Sequence, residues 1–192
     1  MRILLTGGRA PFTLSLARHF REAGDIVYVA DSIRFPITRF SNSVTEYFEV
    51  PSPRFKESAY IDKLVDIIRD KNVDILMPTC EEVFYIARNK KLLPSSCTVW
   101  ADDFEKIKAV HDKYQFIEKV REFGHSAPQT RLLTSREEVE QLCAMPFSKK
   151  IVFKPIYSRF AAHTVMWSLY DPTPPTHPTQ TDPLVAHHYI DS

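Results

Sequence analysis

The chain has 192 residues, 44% of them apolar and 12% aromatic, enough for a packed core in one ordinary domain or two small ones. Its 25 Lys and Arg against 24 Asp and Glu leave a formal charge of +1, so no global field draws it to nucleic acid or to an anionic membrane. Cys80, Cys97 and Cys143 are odd in number, widely spaced and without a metal-type pair, which argues for reduced thiols and against a zinc site. The apolar start runs straight into Thr6-Gly7-Gly8 without a signal-peptide core, and no stretch is long enough to span a bilayer, so the expected location is the cytoplasm.

Residues 3–5 read as a continuous apolar strand, as expected for a parallel strand buried on both faces. Leu14, Leu16, Ala17 and Phe20 then recur at helical spacing over 10–23, and Gly24 closes that helix. "IVYVAD", 26–31, is a second strand, and 44–50 is a short third one reached through "SIRFPITRFSNS" and ended by Pro51 and Pro53. A helix over 58–71 with Ile61, Leu64, Val65 and Ile68 on one face leads to the strand "DILMPT", after which Glu81 and Glu82 open another helix at its favourable end. Repeated β-α-β units predict an α/β chain with a doubly wound parallel, Rossmann-like sheet.

The character changes after Trp100. Helices are predicted over 102–110 and 112–123, ending at Gly124, then a strand in "PQTRLLT" and a helix over 135–143 started by Ser135 with Glu138 three residues on. "KKIVFKP" is another strand, so the expected domains are 1–104 and a smaller α+β unit over 105–192. "DPTPPTHPTQTDP", 171–183, carries five of the chain's 14 prolines and reads as a loop, and "LVAHHYI" after it reads as a strand. No internal repeat is present.

As a dinucleotide fingerprint the opening turn is incomplete, because Gly7-Gly8 lacks the third glycine and Arg9-Ala10-Pro11 stands where the helix should approach a pyrophosphate. Asp31, at the end of the second strand, could hold a ribose, which keeps an NAD-dependent oxidoreductase as one alternative. The simpler reading is a tight strand-to-helix turn whose free N–H groups, with Arg9 beside them, could receive an anionic substrate group. Glu81 and Glu82 lie at the carboxyl end of a parallel strand, where open sheets keep ligands, although both could simply complement the helix dipole. Cys80 beside them has no evident base, Ser158 has no nucleophile elbow, and His111 and the His187-His188 pair lack a metal-ligand rhythm. Adjacent histidines in a strand point to opposite faces, so one of the pair faces the core or a ligand. Lys154 ends the apolar run "IVFKP" and Lys113 heads a helix, against the macrodipole; two such lysines suggest a polyphosphate clamp.

"HDKYQFIEKVREFGHSAPQT", 111–130, followed by "KKIVFKPIYSRF", 149–160, resembles ATP-grasp enzymes. The first half, through "LLTGGRAPFTLSLARHF", "ADS", "VPSPR" and "MPTCEEVFYIA", resembles the pre-ATP-grasp domain of a carbamoyl-phosphate-synthase-like group of carboxylate-amine ligases. The resemblance implies that Lys113 and Lys154 hold ATP phosphates and that a covering loop, "YSRFAAHTVMW", begins around Ser158 and Arg159. It further implies that His187, His188, Tyr189 and Ile190 meet adenine, largely through backbone groups, and that Arg9, Glu81 and Glu82 belong to the acceptor-substrate pocket. Ala161-Ala162 stand where the family's covering loop carries glycine, and His188 replaces the usual hinge acid.

The implied reaction joins a small-molecule carboxylate to an amine through an acyl phosphate, with ATP and magnesium and no nucleic-acid or membrane partner; a homodimer is compatible with it. The family's magnesium ligands come later than Ser192, so no metal-binding or catalytic residue is assigned here. The expectation is a truncated chain, inactive alone; the other alternative is a non-catalytic remnant that binds nucleotide or serves as a protein-interaction module.

Overall fold

The computed structural model describes residues 1–145, 150–158, 163–168, 178–179 and 183–188. The chain divides into two compact units, Met1–Glu105 and Lys106–Ser192.

In the first unit β1 (Arg2–Thr6), α1 (Pro11–Glu22), β2 (Ile26–Asp31), β3 (Glu46–Glu49), α2 (Glu57–Lys71), β4 (Ile75–Met77), α3 (Glu82–Arg88) and β5 (Thr98–Val99) build one parallel sheet in the order β3-β2-β1-β4-β5. Leu4, Ala30 and Leu76 pack with Tyr60, Ile61, Leu64 and Ile68 of α2, whereas Ile3, Leu5, Val27 and Val29 pack with Ala17 of α1. Helices therefore cover both faces, which is why β1 and β2 read as unbroken apolar runs rather than alternating ones. Chain order reverses between β1 and β4, so their carboxyl ends form the crevice where open α/β sheets take ligands. The two-residue β5, added to the edge by the bonds from Thr98 N–H to Asp74 O and from Trp100 N–H to Leu76 O, was not legible in the sequence. A 3-10 turn over Ile37–Phe40 likewise interrupts the loop before β3.

The second unit contains most of α4 (Phe104–His111), then α5 (Lys113–Glu122), β6 (Thr130–Leu133), α6 (Arg136–Cys143), β7 (Ile151–Pro155), β8 (Val165–Trp167) and β9 (Leu184–His188). Its sheet runs β6-β9-β7-β8 with every pairing antiparallel. Ser135 and Glu138 form the capping box expected at the start of α6, which turns Val139 and Leu142 onto Leu133, Ile151, Phe153, Trp167, Leu184 and Ala186. The expectation that the covering loop extends to Trp167 is corrected here: 165–167 is a strand paired with 151–153, held there because Trp167 is buried in this core. Register sets Lys154 opposite Val185 and Val152 opposite His187. By strand alternation these four lie on the sheet face opposite Ile151, Phe153 and Ala186. Among the described residues no helix is long and apolar enough to cross a membrane.

Gly7 has φ +72°, and a Cβ on it would stand 2.7 Å from both Glu82 Oε1 and Thr79 Oγ1; Gly24 has φ +88° with nothing within 4 Å. Gly7→Ala should therefore cost roughly 2–4 kcal/mol, from strain plus overpacking, and Gly24→Ala roughly 1–2 kcal/mol from strain alone. Urea unfolding of the two variants checks this; equal losses would contradict the packing account.

Candidate functional site

Asp112 is the N-cap of α5, and its Oδ1 accepts from the N–H groups of Tyr114 and Gln115 at 3.0 and 2.9 Å. Its Oδ2 takes the Gln115 amide at 3.3 Å and the Tyr157 hydroxyl at 3.1 Å. The cap fixes Lys113 at the first helical position and turns its side chain toward the end of β7. There the ammonium donates to the carbonyls of Pro155, Ile156 and Ser158 at 3.0, 3.0 and 2.7 Å and lies 3.1 Å from the Ser158 hydroxyl. The Ser158 hydroxyl in turn donates to Pro155 O at 3.2 Å. A cation heading a helix thus finds compensation in the carbonyls of a turn. Burial, then the nearby Lys154 ammonium, push Lys113 below its ordinary value, with Asp112 acting in the opposite sense.

Lys154 is half-buried and, among the described residues, has no hydrogen-bond or ion-pair partner. Lys113, Lys154, Val185 and His187 line one cavity of about 340 Å³, walled by Phe116, Ile117 and Val120 of α5. A second cavity of about 460 Å³ shares His187 and Ala127 with it and adds Arg121, Gln129, Thr130 and Arg131. Both volumes fall within the roughly 300–1,000 Å³ common to small-ligand sites. Lys113 and Lys154 line the first cavity and Arg121 and Arg131 the second, with no carboxylate among the described lining residues; Lys113 is held by carbonyls and Arg121 by Glu118 and the Pro128 carbonyl, so Lys154 is the cation left to meet an anion. Burial, then Lys154, lower His187 below its ordinary value, and its buried Nδ1 has no hydrogen-bond partner.

Of the remaining positions expected around a nucleotide, Ser158 holds the turn and His188 pairs through its backbone with Ile151, while Arg159, Tyr189 and Ile190 lie outside the described residues. The sequence reading missed the Asp112 cap, the Phe116 wall, Arg121 and Arg131. Asp112 followed three residues later by Gln115 is the local signal for the first.

On the first unit the opening turn is filled from within. The Arg9 N–H donates to Asp31 Oδ2 at 2.8 Å and its guanidinium grips the same buried carboxylate through two nitrogens. The anion at the start of α1 is thus the chain's own, and both Arg9 and Asp31 are engaged in holding the turn. Thr13 and Thr38 hydroxyls bond the carbonyls of Gly7 and Gly8 at 2.8 and 2.9 Å. Glu82 Oε1 accepts from the Thr6 hydroxyl at 2.7 Å and from the N–H groups of Thr79 and Cys80 at 3.3 and 3.0 Å, so it braces the β1–β4 crevice. Glu81 is exposed beside it.

No family model matches the chain, and no curated protein does. Solved structures do. L-amino acid ligase from Bacillus licheniformis superposes with a TM-score of 0.70 at 16% identity, over 100% of this chain and 44% of that one. N5-carboxyaminoimidazole synthetase from Staphylococcus aureus gives 0.68 at 12% identity, over 99% and 47%. The biotin carboxylase domain dimer of Hydrogenobacter thermophilus 2-oxoglutarate carboxylase, in complex with ADP, its magnesium salt and bicarbonate, gives 0.66 at 12% identity, over 99% and 44%. The chain has the fold of ATP-grasp ligases and spans less than half the length of these neighbours.

A lowered His187 means that the unfolded chain takes up this proton first, so this group's contribution to stability falls as pH drops below 6.5. In an NMR titration the His187 ring should titrate below 6.5 and move upward in Lys154→Met. An unmoved midpoint would contradict the pairing of these two groups.

Proposed function

We propose that the second unit is the nucleotide-binding part of an ATP-grasp ligase that joins a carboxylate to an amine, with ATP held by Lys113, Lys154 and the strand around His187. One observation carries this reading: two ammonium groups line the same cavity, close enough for Lys154 to lower Lys113, without a carboxylate among the described lining residues. A polyphosphate would relieve that repulsion, and the apolar wall of Phe116, Ile117 and Val185 suits a planar base. The ADP-bearing neighbour supports the same ligand class.

Lys154 is the phosphate contact in this reading, and Lys113 both adds charge and holds the turn over Pro155–Ser158 in place. When bound, ATP supplies the phosphoryl group that makes a carboxylate reactive toward an amine. On the first unit the carboxyl ends of β1 and β4, with Glu81 exposed there, are where a small carboxylate or amine would be received. Among the described residues no group of three His, Cys, Asp or Glu could hold a metal ion, so no step is assigned to protein-held magnesium.

Isothermal titration calorimetry tests the reading. Lys154→Met should weaken ATP binding about 10- to 100-fold, the loss expected for one charge-assisted contact. Lys113→Met should weaken it and also lower the melting temperature, because the turn loses its clamp. ATP affinity unchanged in Lys154→Met would contradict the proposal.

A further inference from the structure

The first unit holds a cavity apart from the crevice between β1 and β4. It measures about 500 Å³ and lies at the carboxyl ends of β2 and β3, lined by Ser32, Glu49, Val50, Ser52, Phe55 and Lys56. That volume suits a small molecule. Its wall is pinned at both ends: the Val50 N–H donates to Asp31 O at 3.0 Å, and Ser52 O accepts from the N–H groups of Phe55 and Lys56 at 3.2 and 2.9 Å. Pro51 and Pro53 fix φ along the way, so the loop from Glu49 to Lys56 has little freedom to collapse into the space. Ser32 is held as well, its hydroxyl accepting from the Arg9 guanidinium at 3.0 Å.

Glu49 and Lys56 put charges of opposite sign on this one cavity. Among the described residues neither side chain makes a hydrogen bond or an ion pair, with each other or with any other group. A simple anion would meet Glu49 as a like charge, and a simple amine would meet Lys56 as one. A ligand that carries both signs satisfies the two at once. Lys56 is the N-cap residue of α2, which has no side-chain cap, so the helix dipole adds to the positive potential at that end. Val50 and Phe55 supply apolar surface, and Phe55 is 79% exposed, so an apolar ligand group laid against it is favoured. We propose that this cavity binds a free α-amino acid with an apolar side chain. Its ammonium meets Glu49, its carboxylate meets Lys56 and the Ser52 hydroxyl, and its side chain lies against Val50 and Phe55.

The experiment is an amide NMR titration of the 192-residue chain with L-leucine, N-acetyl-L-leucine and L-leucinamide. No nucleotide is present, so the outcome is independent of the nucleotide reading above. L-Leucine should move the amide resonances of Ser32, Val50 and Ser52. The two derivatives, each lacking one of the charges, should bind at least tenfold more weakly. Glu49→Gln and Lys56→Met, both at exposed positions that leave the core intact, should each weaken L-leucine at least tenfold. No movement of those three resonances at millimolar L-leucine would overturn the proposal. So would equal affinity for L-leucine and either derivative, or unchanged L-leucine affinity in either variant.

Discussion

The Lys113 ammonium joins two parts of the second unit that the sequence keeps far apart, the first turn of α5 and the turn after β7, through three backbone carbonyls within 3.0 Å. It can do so because Asp112 caps the helix and fixes the side chain's direction. The contact orders the end of the central strand, and the end of that strand carries Lys154. What results is a cavity in which one cation is satisfied by protein oxygens and the other, among the described residues, is not. That imbalance is the physical content of the nucleotide proposal: the fold holds positive charge in a half-buried place and leaves its compensation to a ligand.

The first unit shows the opposite arrangement. Its glycine turn, helix start and strand ends all have the form of an anion site, yet several of the polar groups there meet partners from the same unit. Asp31 accepts from the Arg9 N–H and guanidinium, the Thr13 and Thr38 hydroxyls donate to the Gly7 and Gly8 carbonyls, and Glu82 accepts from the Thr79 and Cys80 N–H groups. A site whose donors are already satisfied gives a ligand little to gain, whereas one with a cation that has no partner among the described residues gives it much. The contrast supports the proposal that a nucleotide is held by the second unit and a small carboxylate or amine is received at the β1–β4 crevice.

Much of this architecture was legible because its determinants are local. Unbroken apolar runs such as Ile3 to Leu5 and Val27 to Val29 require burial on both faces, and Ser135 with Glu138 is a helix start that depends on four consecutive residues. What was missed depends on distant partners. Thr98–Val99 is a strand only because β4 offers it an edge, and Val165–Trp167 is one because Trp167 reaches the core behind β7. The site shows the same division. Lys113 and Lys154 stood out as cations in places where a cation is unfavourable, but the carbonyl clamp, the Arg121 and Arg131 lining and the orphaned Nδ1 follow from packing that spacing does not encode.

Competitive acylation of lysine amines, quantified peptide by peptide with mass spectrometry in the presence and absence of ATP, tests the central claim most directly. Under saturating ATP, labelling of Lys154 should fall at least tenfold while that of Lys63, exposed on α2, stays constant. Labelling of Lys154 at the same rate with and without ATP would contradict the account.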